Sequence, residues 1–458
     1  MLLSLRIFIF AFFGSALLVS ADTRLNVLFI AVDDLNDWVG HLGGHPQSKT
    51  PNIDRLARTG VTFSKAYCSA PLCNPSRVSL LTGIEPSKSG VYGNGERFRQ
   101  KLPKAVTLMQ HFRTYGYAVK GGGKIFHGAN RSGDLASWDF YFKAPRTKYE
   151  YKRPANLPAS AWAPWGPLDN DDKEMFDSKV VNWAISELEK PHKKPFFLAC
   201  GFTKPHLPWH VPRKYFDMHP LDKIVLPETL INDREDLPVF GKKLAREVHD
   251  VSGPRNFAEH GEDHNMILKY NQWYRAVQSY LATISFVDFH VGRLLKALKE
   301  SEHADNTIIV LWGDHGWHLG EKQHWRKHAL WETTTRTTLI ISAPEQSAKN
   351  KLCQSPVSLI DLYPTIVQLC NLPVRNGLDG QSIVPLLQNP NRKWDRPVLT
   401  TFGKGNHAVR TKRWRYIRYH DGGEELYDHD ADPKEWTNLA KLSRYSSLIE
   451  RLRKTIPK

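Results

Sequence analysis

Long apolar runs alternate along the chain with segments whose apolar residues recur at helical spacing. The run Leu25–Val32 is almost continuously apolar, which predicts a strand that is buried on both faces, as in a parallel sheet. Two later runs of this kind, Phe196–Phe202 and Thr307–Trp312, each follow a segment that predicts a long helix, Phe176–Leu188 and Trp273–Lys299. This alternation predicts an α/β domain whose large mixed, mostly parallel sheet is flanked by helices on both faces.

The remaining segments complete this domain and add a smaller one. The polar stretch between about Leu207 and Tyr270 predicts an insertion with helical pieces, of the kind that often forms a lid or a pocket wall. Beyond about Asp395, short β-prone segments and a final helix predict a C-terminal α+β subdomain at 395–458, after a large domain at 22–394. The shorter predicted elements are the helices Pro51–Ala57, Val106–Tyr115, Ile360–Cys370 and Ser446–Lys454 and the strands Val61–Phe63, Tyr117–Val119, Thr338–Ser342, Val398–Phe402, His407–Arg410 and Trp414–Tyr419.

The first residues have the pattern of a secretory signal peptide. Arg6 precedes the apolar run Ile7–Val19, and the small residues Ser20 and Ala21 follow it. The run is too short for a membrane span, and polar residues come directly after it. We therefore predict that residues 1–21 are removed and that the protein has no stable membrane anchor. The expected location is periplasmic or extracellular in a bacterium, and lysosomal or secreted in a eukaryote.

The chain is strongly basic, with 63 Lys and Arg against 47 Asp and Glu, a formal net charge of +16. A basic surface suits a polyanionic partner such as nucleic acid, an anionic membrane surface or a sulfated polymer, and it also promotes simple solubility. The predicted export and the lack of a basic nucleic-acid-binding motif argue against nucleic acid.

The cysteines are too few for a disulfide framework. A pair between Cys353 and Cys370 is possible in an oxidising compartment, but Cys370 also fits the apolar face of a helix. The spacing offers no CxxC zinc pattern. The chain has five cysteines, Cys68, Cys73, Cys200, Cys353 and Cys370.

Acidic residues stand at the carboxyl ends of two predicted strands that lie far apart in the sequence. Asp33 and Asp34 follow the first strand, and Asp314 and His315 follow the strand that ends near Trp312. Open α/β sheets bind ligands at this edge. Clustered carboxylates need a cation, and oxygen ligands favour calcium or magnesium over zinc. Each pair alone is better explained as a cap of the following loop, but both pairs together with the cysteine motif at residue 73 predict a metal site.

The pentapeptide Cys73–Arg77 (CNPSR) carries a thiol and a fixed positive charge ahead of an apolar, helix-capable run. Pro75 restricts Asn74 to extended or turn conformations, and Ser76 is a good helix N-cap. A cysteine near a helix N-terminus with an arginine one turn away is more often reactive than a random thiol. A small buried cysteine in a loop is the alternative, and the pentapeptide alone does not separate the two.

Three further segments carry cations and imidazoles near predicted strand ends. Glycines 121–123 permit close approach to an anion, Lys124 adds charge, and His127 can transfer protons near neutral pH. His206 lies in the proline-rich loop after the strand at 196–202, and Lys327 lies beyond the second acidic pair. Each is individually more typical of solvated surface, but together they indicate anion chemistry.

These motifs resemble those of the formylglycine-dependent sulfatases of the alkaline-phosphatase superfamily, and the iduronate-2-sulfatase-like branch most closely. The resemblance covers nearly the whole chain after residue 21 and rests on VDDLND, CNPSR, GKIFHG, KPHLPW and DHGWHLGE with the later WRK. It implies the alkaline-phosphatase-like sulfatase fold and hydrolysis of sulfate esters on a sulfated saccharide. In that family a maturation enzyme oxidises the motif cysteine to formylglycine, whose hydrate is the nucleophile. Asn74 departs from the small residue more usual there and bears on the efficiency of maturation.

The resemblance also implies roles for single residues. Cys73, as formylglycine, would be the nucleophile, with Arg77 and Lys124 holding its hydrate and His127 assisting its proton transfers. His206 and Lys327 would hold the sulfate and help the leaving oxygen depart. One calcium ion per subunit would be bound by Asp33, Asp34, Cys73, Asp314 and His315.

Two other functions stay open from the sequence. A phosphodiesterase or phosphonate monoester hydrolase can use the same cysteine motif, and a non-catalytic glycan-binding protein can keep the fold. The complete set of charged motifs argues against the second. For a saccharide substrate, the aromatic and basic residues of the 207–270 insertion and of the C-terminal subdomain, Trp209 among them, are predicted to form the glycan pocket.

Overall fold

The computed structural model of the protein describes residues 24–128, 133–145, 147–149, 165–246 and 263–457. The predicted signal peptide and part of the 207–270 insertion therefore lie outside the described residues. The strands in chain order are β1 (Asn26–Asp33), β2 (Val61–Phe63), β3 (Ala66–Tyr67), β4 (Ala118–Gly123), β5 (Phe140–Phe142), β6 (Phe196–Pro205), β7 (Thr307–Gly313), β8 (His318–Leu319), β9 (Trp325–Arg326), β10 (Arg336–Thr337), β11 (Leu339–Ser342), β12 (Lys351–Cys353), β13 (Val357–Ser358), β14 (Val398–Thr401), β15 (His407–Arg410), β16 (Trp414–Arg418) and β17 (Glu424–Asp428).

The helices confirm most of the predicted ones, and two of them, at 51–57 and 176–188, have the predicted bounds. Within the described ranges, none of them combines the length and the apolar character needed to cross a membrane. In chain order they are α1 (Pro51–Ala57), α2 (Cys73–Thr82), α3 (Pro86–Ser89), α4 (Phe98–Lys101), α5 (Leu108–Thr114), α6 (Phe176–Leu188), α7 (Arg213–Asp217), α8 (Val239–Arg246), α9 (Asp263–Lys269), α10 (Trp273–Glu300), α11 (Glu332–Thr335), α12 (Leu362–Leu369), α13 (Val384–Gln388) and α14 (Ser446–Arg453).

An eight-stranded sheet with the strand order β12-β2-β11-β7-β1-β6-β4-β5 forms the centre of the large domain. β1 pairs in parallel with both β6 and β7, whereas β11 is antiparallel to its two neighbours. The predicted mixed, mostly parallel sheet is therefore confirmed. Because successive side chains of a strand point to opposite faces, Leu28 and Ile30 pack into one core and Val27 and Phe29 into the other.

Helices cover both faces of this sheet. The core on one face includes residues from α1, α6 and α10, and the core on the other includes residues from α2, α5 and α12. Burial of β1 on both sides explains why its sequence is continuously apolar instead of alternating. The carboxyl ends of β1, β4, β6 and β7 lie side by side at one edge of the sheet.

The C-terminal subdomain is an antiparallel sheet, β14-β15-β16-β17, with α14 packed on it through Ile449 and Leu452. β17 was not predicted, because its sequence EELYD lacks an apolar run. Thr401 joins this sheet to the segment before α2, since its N–H donates to the carbonyl oxygen of Ser69 at 2.8 Å. The exact boundary at residue 395 stays a prediction.

Two local expectations are wrong. α2 begins at Cys73 with Leu72 as its N-cap, so Ser76 lies inside the first turn, where its hydroxyl donates to the carbonyl oxygen of Asp314 at 2.6 Å. Trp209 is 1% exposed and packs among core aromatic residues, so its ring cannot form a pocket wall. Of the two alternatives left open for Cys353 and Cys370, the structure has the unpaired one, since both are free, buried thiols.

Candidate active site

The ends of β1 and β7 bring the two predicted acidic pairs together. Val32 lies opposite Gly313 in the parallel pairing of these strands, so the residues that follow each strand are neighbours. The N–H of Asp34 donates to Oδ1 of Asp314 at 2.9 Å. The expectation that these acidic pairs lie close together is therefore confirmed.

Asp34 has a left-handed backbone conformation with φ of 59°, which is uncommon for a residue other than glycine. Tyr280 of α10 fixes this turn, because its hydroxyl donates to the carbonyl oxygen of Asp34 at 2.7 Å and accepts from the N–H of Asn36 at 3.2 Å. Sequence reasoning missed Tyr280, because it lies 246 residues from Asp34 and only the packing of α10 against the sheet brings the two together.

Cys73, the first residue of α2, points its fully buried thiol at this group of carboxylates. Its Sγ lies 3.0 Å from Nζ of Lys327 and 3.4 Å from Nε2 of His315. Burial, together with the charge of Asp33, raises the pKa of the thiol. The unmodified cysteine is therefore held as a protonated thiol, which is a poor nucleophile, and the interpretation of a reactive thiolate is not supported.

Arg77 ties three strand ends together from the next turn of α2. Its Nε donates to Oδ2 of Asp314 at 2.8 Å, and its Nη2 donates to Oδ1 of Asp33 at 3.1 Å. Nη1 donates to the carbonyl oxygens of Lys124 and Ile125, which follow β4. The guanidinium is completely buried and makes four hydrogen bonds, so it is fixed in position.

Two lysines supply further positive charge beside Cys73. Lys124 donates through Nζ to Oδ2 of Asp33, and its Nζ lies 3.7 Å from Sγ of Cys73. Lys327 donates to Oδ1 of Asp34 at 2.7 Å. The neighbouring acidic groups raise the pKa of both lysines against the opposing effect of burial, so both remain ammonium ions at neutral pH.

The charges of this cluster balance. Three carboxylates (Asp33, Asp34 and Asp314) face three cations (Arg77, Lys124 and Lys327). Lys124 and Arg77 hold the pKa of Asp33 far below its ordinary value, although burial acts in the opposite direction. A bound divalent cation would leave the site with two excess positive charges, which an anionic substrate can neutralise.

The donor set fits a hard divalent cation such as calcium. Ligand atoms of Asp33, Asp34, Cys73 and His206 lie within 4.8 Å of one another, and so do those of Asp34, Cys73, Asp314 and His315. Among the described residues nothing donates a hydrogen bond to the buried Oδ2 of Asp34. Burial raises the pKa of Asp34 to about 7, and the carboxylates of Asp33 and Asp314 oppose the lowering effect of Lys327. A carboxylate oxygen left without a partner in this way is a natural ligand for calcium.

His315 is prepared as a neutral ligand. Its Nδ1 lies 3.0 Å from the carbonyl oxygen of Gly316, to which it donates, so Nε2 faces the carboxylates with its lone pair. Nε2 lies 3.3 Å from Oδ1 of Asp34. Burial lowers the pKa of His315 to about 4, which keeps the ring uncharged at neutral pH.

His206 lies at the open side of the cluster. Its side chain is 33% exposed, whereas those of Lys124 and Lys327 are 6% and 7% exposed. Its Nδ1 contacts the carbonyl oxygen of Leu207, and its Nε2 points towards Oδ2 of Asp34 at 3.9 Å. An incoming substrate therefore meets His206 before it reaches the lysines. Burial and the two lysines hold the pKa of His206 well below its ordinary value.

His127 lies at the end of the segment that carries Lys124. It is half-buried, and its Nδ1 has no hydrogen-bond partner among the described residues. Burial and the charge of Lys124 lower its pKa to about 3. The ring is therefore neutral at neutral pH, and a bound anion would raise this low pKa.

A second residue that the sequence did not reveal, Asp177, orients the loop that carries His206. Its carboxylate accepts from the N–H and hydroxyl of Thr203 and from the N–H of Lys204, at distances of 2.8–2.9 Å. Asp177 stands at the start of α6, where its charge also suits the helix dipole. The helix was predicted, but the contact depends on the tertiary arrangement of α6 against β6.

Comparisons with known proteins agree with this geometry. The sequence model of the Sulfatase family matches residues 25–372, and the model described as N-sulphoglucosamine sulphohydrolase, C-terminal, matches residues 320–458. A protein named sulfatase from Formosa agariphila is 38% identical over 456 residues, covering 94% of this chain and 86% of that protein. Iduronate 2-sulfatase of Mus musculus is 29% identical over 529 residues, covering 95% and 94%. The solved structure of a phosphonate monoester hydrolase of Agrobacterium radiobacter has a TM-score of 0.75 at 21% identity, covering 94% of each chain, which shows a shared fold alone.

Proposed function

The chain belongs to the sulfatase family of sulfuric ester hydrolases, and from this premise we propose that it removes sulfate from a sulfated carbohydrate, in the manner of an iduronate-2-sulfatase. The likeness to iduronate 2-sulfatase supports a uronic acid 2-sulfate, in a glycosaminoglycan or another sulfated polysaccharide, as the substrate. The basic character of the chain, with a net charge of +16, suits a polyanionic polymer of this kind.

One observation carries the proposal: three buried carboxylates and three buried cations converge on Cys73 at one sheet edge. Burying this many charges is costly and stabilises a fold poorly compared with apolar packing. A requirement for anion chemistry explains why they are there, because cations fixed in a dry site stabilise the charge that develops during ester cleavage.

Two groups that the family implies fit the residues present. Calcium would be held by Asp33, Asp34, Asp314 and His315 together with residue 73, and when bound it supplies positive charge opposite the sulfate oxygens. Formylglycine at position 73 would supply, as its hydrate, the oxygen nucleophile that the protonated thiol lacks. Cys73 is completely buried, so a maturation enzyme must reach it before the chain has folded.

The cations of this chain bind and orient the ester. Lys124 and Lys327, both ammonium ions beside residue 73, donate hydrogen bonds to the sulfate oxygens and hold sulfur within reach of the nucleophile. Arg77 keeps the carboxylates of Asp33 and Asp314 in place. Four of its five N–H donors are used in this way and in bonds to two carbonyl oxygens, which leaves one N–H of Nη2 to hold the hydrate of residue 73.

The histidines move protons. His127, neutral and with Nδ1 free of hydrogen bonds among the described residues, would accept a proton from a hydrate at residue 73 once a bound sulfate has raised the pKa of the ring. A sulfate bound beside Nε2 of His206 raises the pKa of that ring, because an adjacent anion favours the imidazolium form. His206 can then donate to the leaving oxygen together with Lys327, which is already protonated.

The N-terminal residues 1–21 lie outside the described residues, and we propose that they direct export. An exported sulfatase would meet polysaccharide substrates that do not enter the cytoplasm.

A substrate panel tests the proposal. The protein is produced with a maturation enzyme and assayed on oligosaccharides sulfated at different positions, on an aryl sulfate and on an aryl phosphodiester, with Cys73→Ala as the inactive control. We expect desulfation of a 2-sulfated uronic acid and slower cleavage of the phosphodiester. Faster cleavage of the phosphodiester would instead identify a phosphodiesterase or phosphonate monoester hydrolase. Retained binding of sulfated glycans without any hydrolysis would identify a binding protein.

A further inference from the structure

Asn74, the residue directly after Cys73, makes more polar contacts than a small residue at that position could. Its Nδ2 donates to the carbonyl oxygens of Gly93 and Glu96, at 2.8 and 2.9 Å. Its own N–H donates to Oδ1 of Asn94 at 3.0 Å. Asn74 is 7% exposed, so these bonds form in a largely buried setting. Through three hydrogen bonds, Asn74 therefore fastens residues 92–97, the 92–97 loop, to the first turn of α2.

The 92–97 loop is itself a closed turn. The carboxylate of Glu96 accepts from the N–H groups of Tyr92 and Gly93, at 2.5 and 3.2 Å, and pairs with Lys101 at 2.7 Å. The two carbonyl oxygens that Asn74 binds belong to the two ends of this turn. A side chain that holds both ends fixes the whole loop as a unit.

The other end of the loop reaches the segment that carries His127. Phe98, the first residue of α4, stacks on Phe126 with ring centroids 5.4 Å apart and an interplanar angle of 6°. Both rings are buried, at 5% and 2% exposure. The loop thus spans from the residue after Cys73 to the residue before His127.

We propose that Asn74 is a positioning residue that sets His127 relative to residue 73 through the 92–97 loop and the Phe98–Phe126 stack. This inference rests on the proposed function, because it concerns the proton-accepting side of the same site. It explains why a residue other than a small one stands in the motif. Loss of the amide removes two of the three hydrogen bonds that fasten the loop to α2, so the loop and the stack hold the segment of His127 less firmly.

Two variants separate hydrogen bonding from packing. Asn74→Ala removes the amide. Asn74→Asp keeps the size of the side chain but replaces the amide with a carboxylate, which cannot donate to the two carbonyl oxygens. Asn438→Ala is the matched control, because Asn438 also donates through Nδ2 to two carbonyl oxygens, those of Asp236 and Glu424, but lies in the C-terminal subdomain.

The experiment combines kinetics with amide hydrogen exchange. Peptide mass spectrometry measures the fraction of residue 73 that is oxidised to formylglycine in each variant. The measured rate is divided by that fraction to give kcat per active molecule. We expect both Asn74 variants to lose about tenfold in kcat, with KM changed less than twofold, because misplacement of a proton acceptor affects the chemical step. Amide hydrogen exchange should accelerate in peptides that cover residues 92–98 and 124–128. Asn438→Ala should change neither kcat nor the exchange of these peptides.

Each outcome decides the inference. Unchanged exchange in both peptides overturns it, and so does faster exchange at 92–98 with kcat unaltered, since the loop would then not control His127. If the wild-type protein cleaves no sulfate ester, the proposed function fails by itself. In that case the exchange at 124–128 still decides whether Asn74 holds the His127 segment.

Discussion

Replacing Arg77 with lysine keeps the positive charge of the cluster but removes the fork that joins its carboxylates. The guanidinium makes four hydrogen bonds, to Asp33, to Asp314 and to the carbonyl oxygens of Lys124 and Ile125. The single nitrogen of a lysine can reach one of the two carboxylates but not both. The other carboxylate and the two carbonyl oxygens are then left buried without their donor.

The cost can be worked out from these contacts. A lost hydrogen bond to a charged group costs about 1.5–3 kcal/mol, and a lost bond to a carbonyl oxygen costs about 1 kcal/mol. Losing one bond to a carboxylate and two to carbonyl oxygens, Arg77→Lys should lower the free energy of unfolding by about 3.5–5 kcal/mol. Asp33 and Asp314 also lose the group that orients them, so the affinity for the calcium ion that we propose should fall by about 10- to 100-fold.

Arg415→Lys is the matched control for these measurements. Arg415 is also completely buried, contacts the carboxylates of Glu332 and Glu435 and donates to the carbonyl oxygen of Leu330, but it serves the contact with the C-terminal subdomain. Urea unfolding followed by tryptophan fluorescence should show a comparable loss of stability in both variants. Calorimetric titration with calcium should show weaker binding only for Arg77→Lys. Equal calcium affinities in the two variants would refute the reasoning.

Two further predictions concern other buried groups. Lys327→Met should lower kcat by about 10²- to 10³-fold, because it removes a cation that we propose binds the sulfate. The control, Lys322→Met, breaks a buried ion pair with Asp233 and should lower stability but not kcat. Equal kcat values in the two variants would contradict the role of Lys327. Burial lowers the pKa of His290 from 6.5 to about 3. On acidification the unfolded chain therefore takes up a proton at His290 before the folded chain does, and the free energy of unfolding falls. Between pH 8 and pH 5, the wild-type protein should lose about 2 kcal/mol more free energy of unfolding than His290→Gln, measured by urea titration. An equal loss in the two proteins would contradict this prediction.

Sequence patterns predicted the architecture well wherever local and tertiary preferences agree. The bounds of α1 and α6 could be predicted because apolar residues at helical spacing mark them, and Pro51 suits the first position of α1. Strand β1 could be predicted because its burial on two faces leaves a continuous apolar run. The site could be predicted in part, since the carboxyl ends of parallel strands must meet at one edge. The convergence of Asp34, Asp314 and Cys73 follows from that rule.

The failures share a cause in tertiary packing. Trp209 follows a proline-rich loop and was predicted to face substrate, but Trp165, Tyr280 and Trp317 surround it in the core. The start of α2 was predicted too late, at Ser76, because Pro75 was expected to hold the residues before it outside the helix. A proline fits the first turn of a helix, so α2 begins at Cys73. Contacts such as that of Tyr280 with Asp34 join residues far apart in the chain and leave no local signal.

The most direct test of the account is peptide mass spectrometry of residue 73, in protein made with a maturation enzyme, joined to a sulfate-ester assay of the same preparations. We expect the rate of hydrolysis to rise in proportion to the fraction of residue 73 present as formylglycine and to vanish when that fraction is zero. Full activity in a preparation whose residue 73 is entirely cysteine would contradict the account.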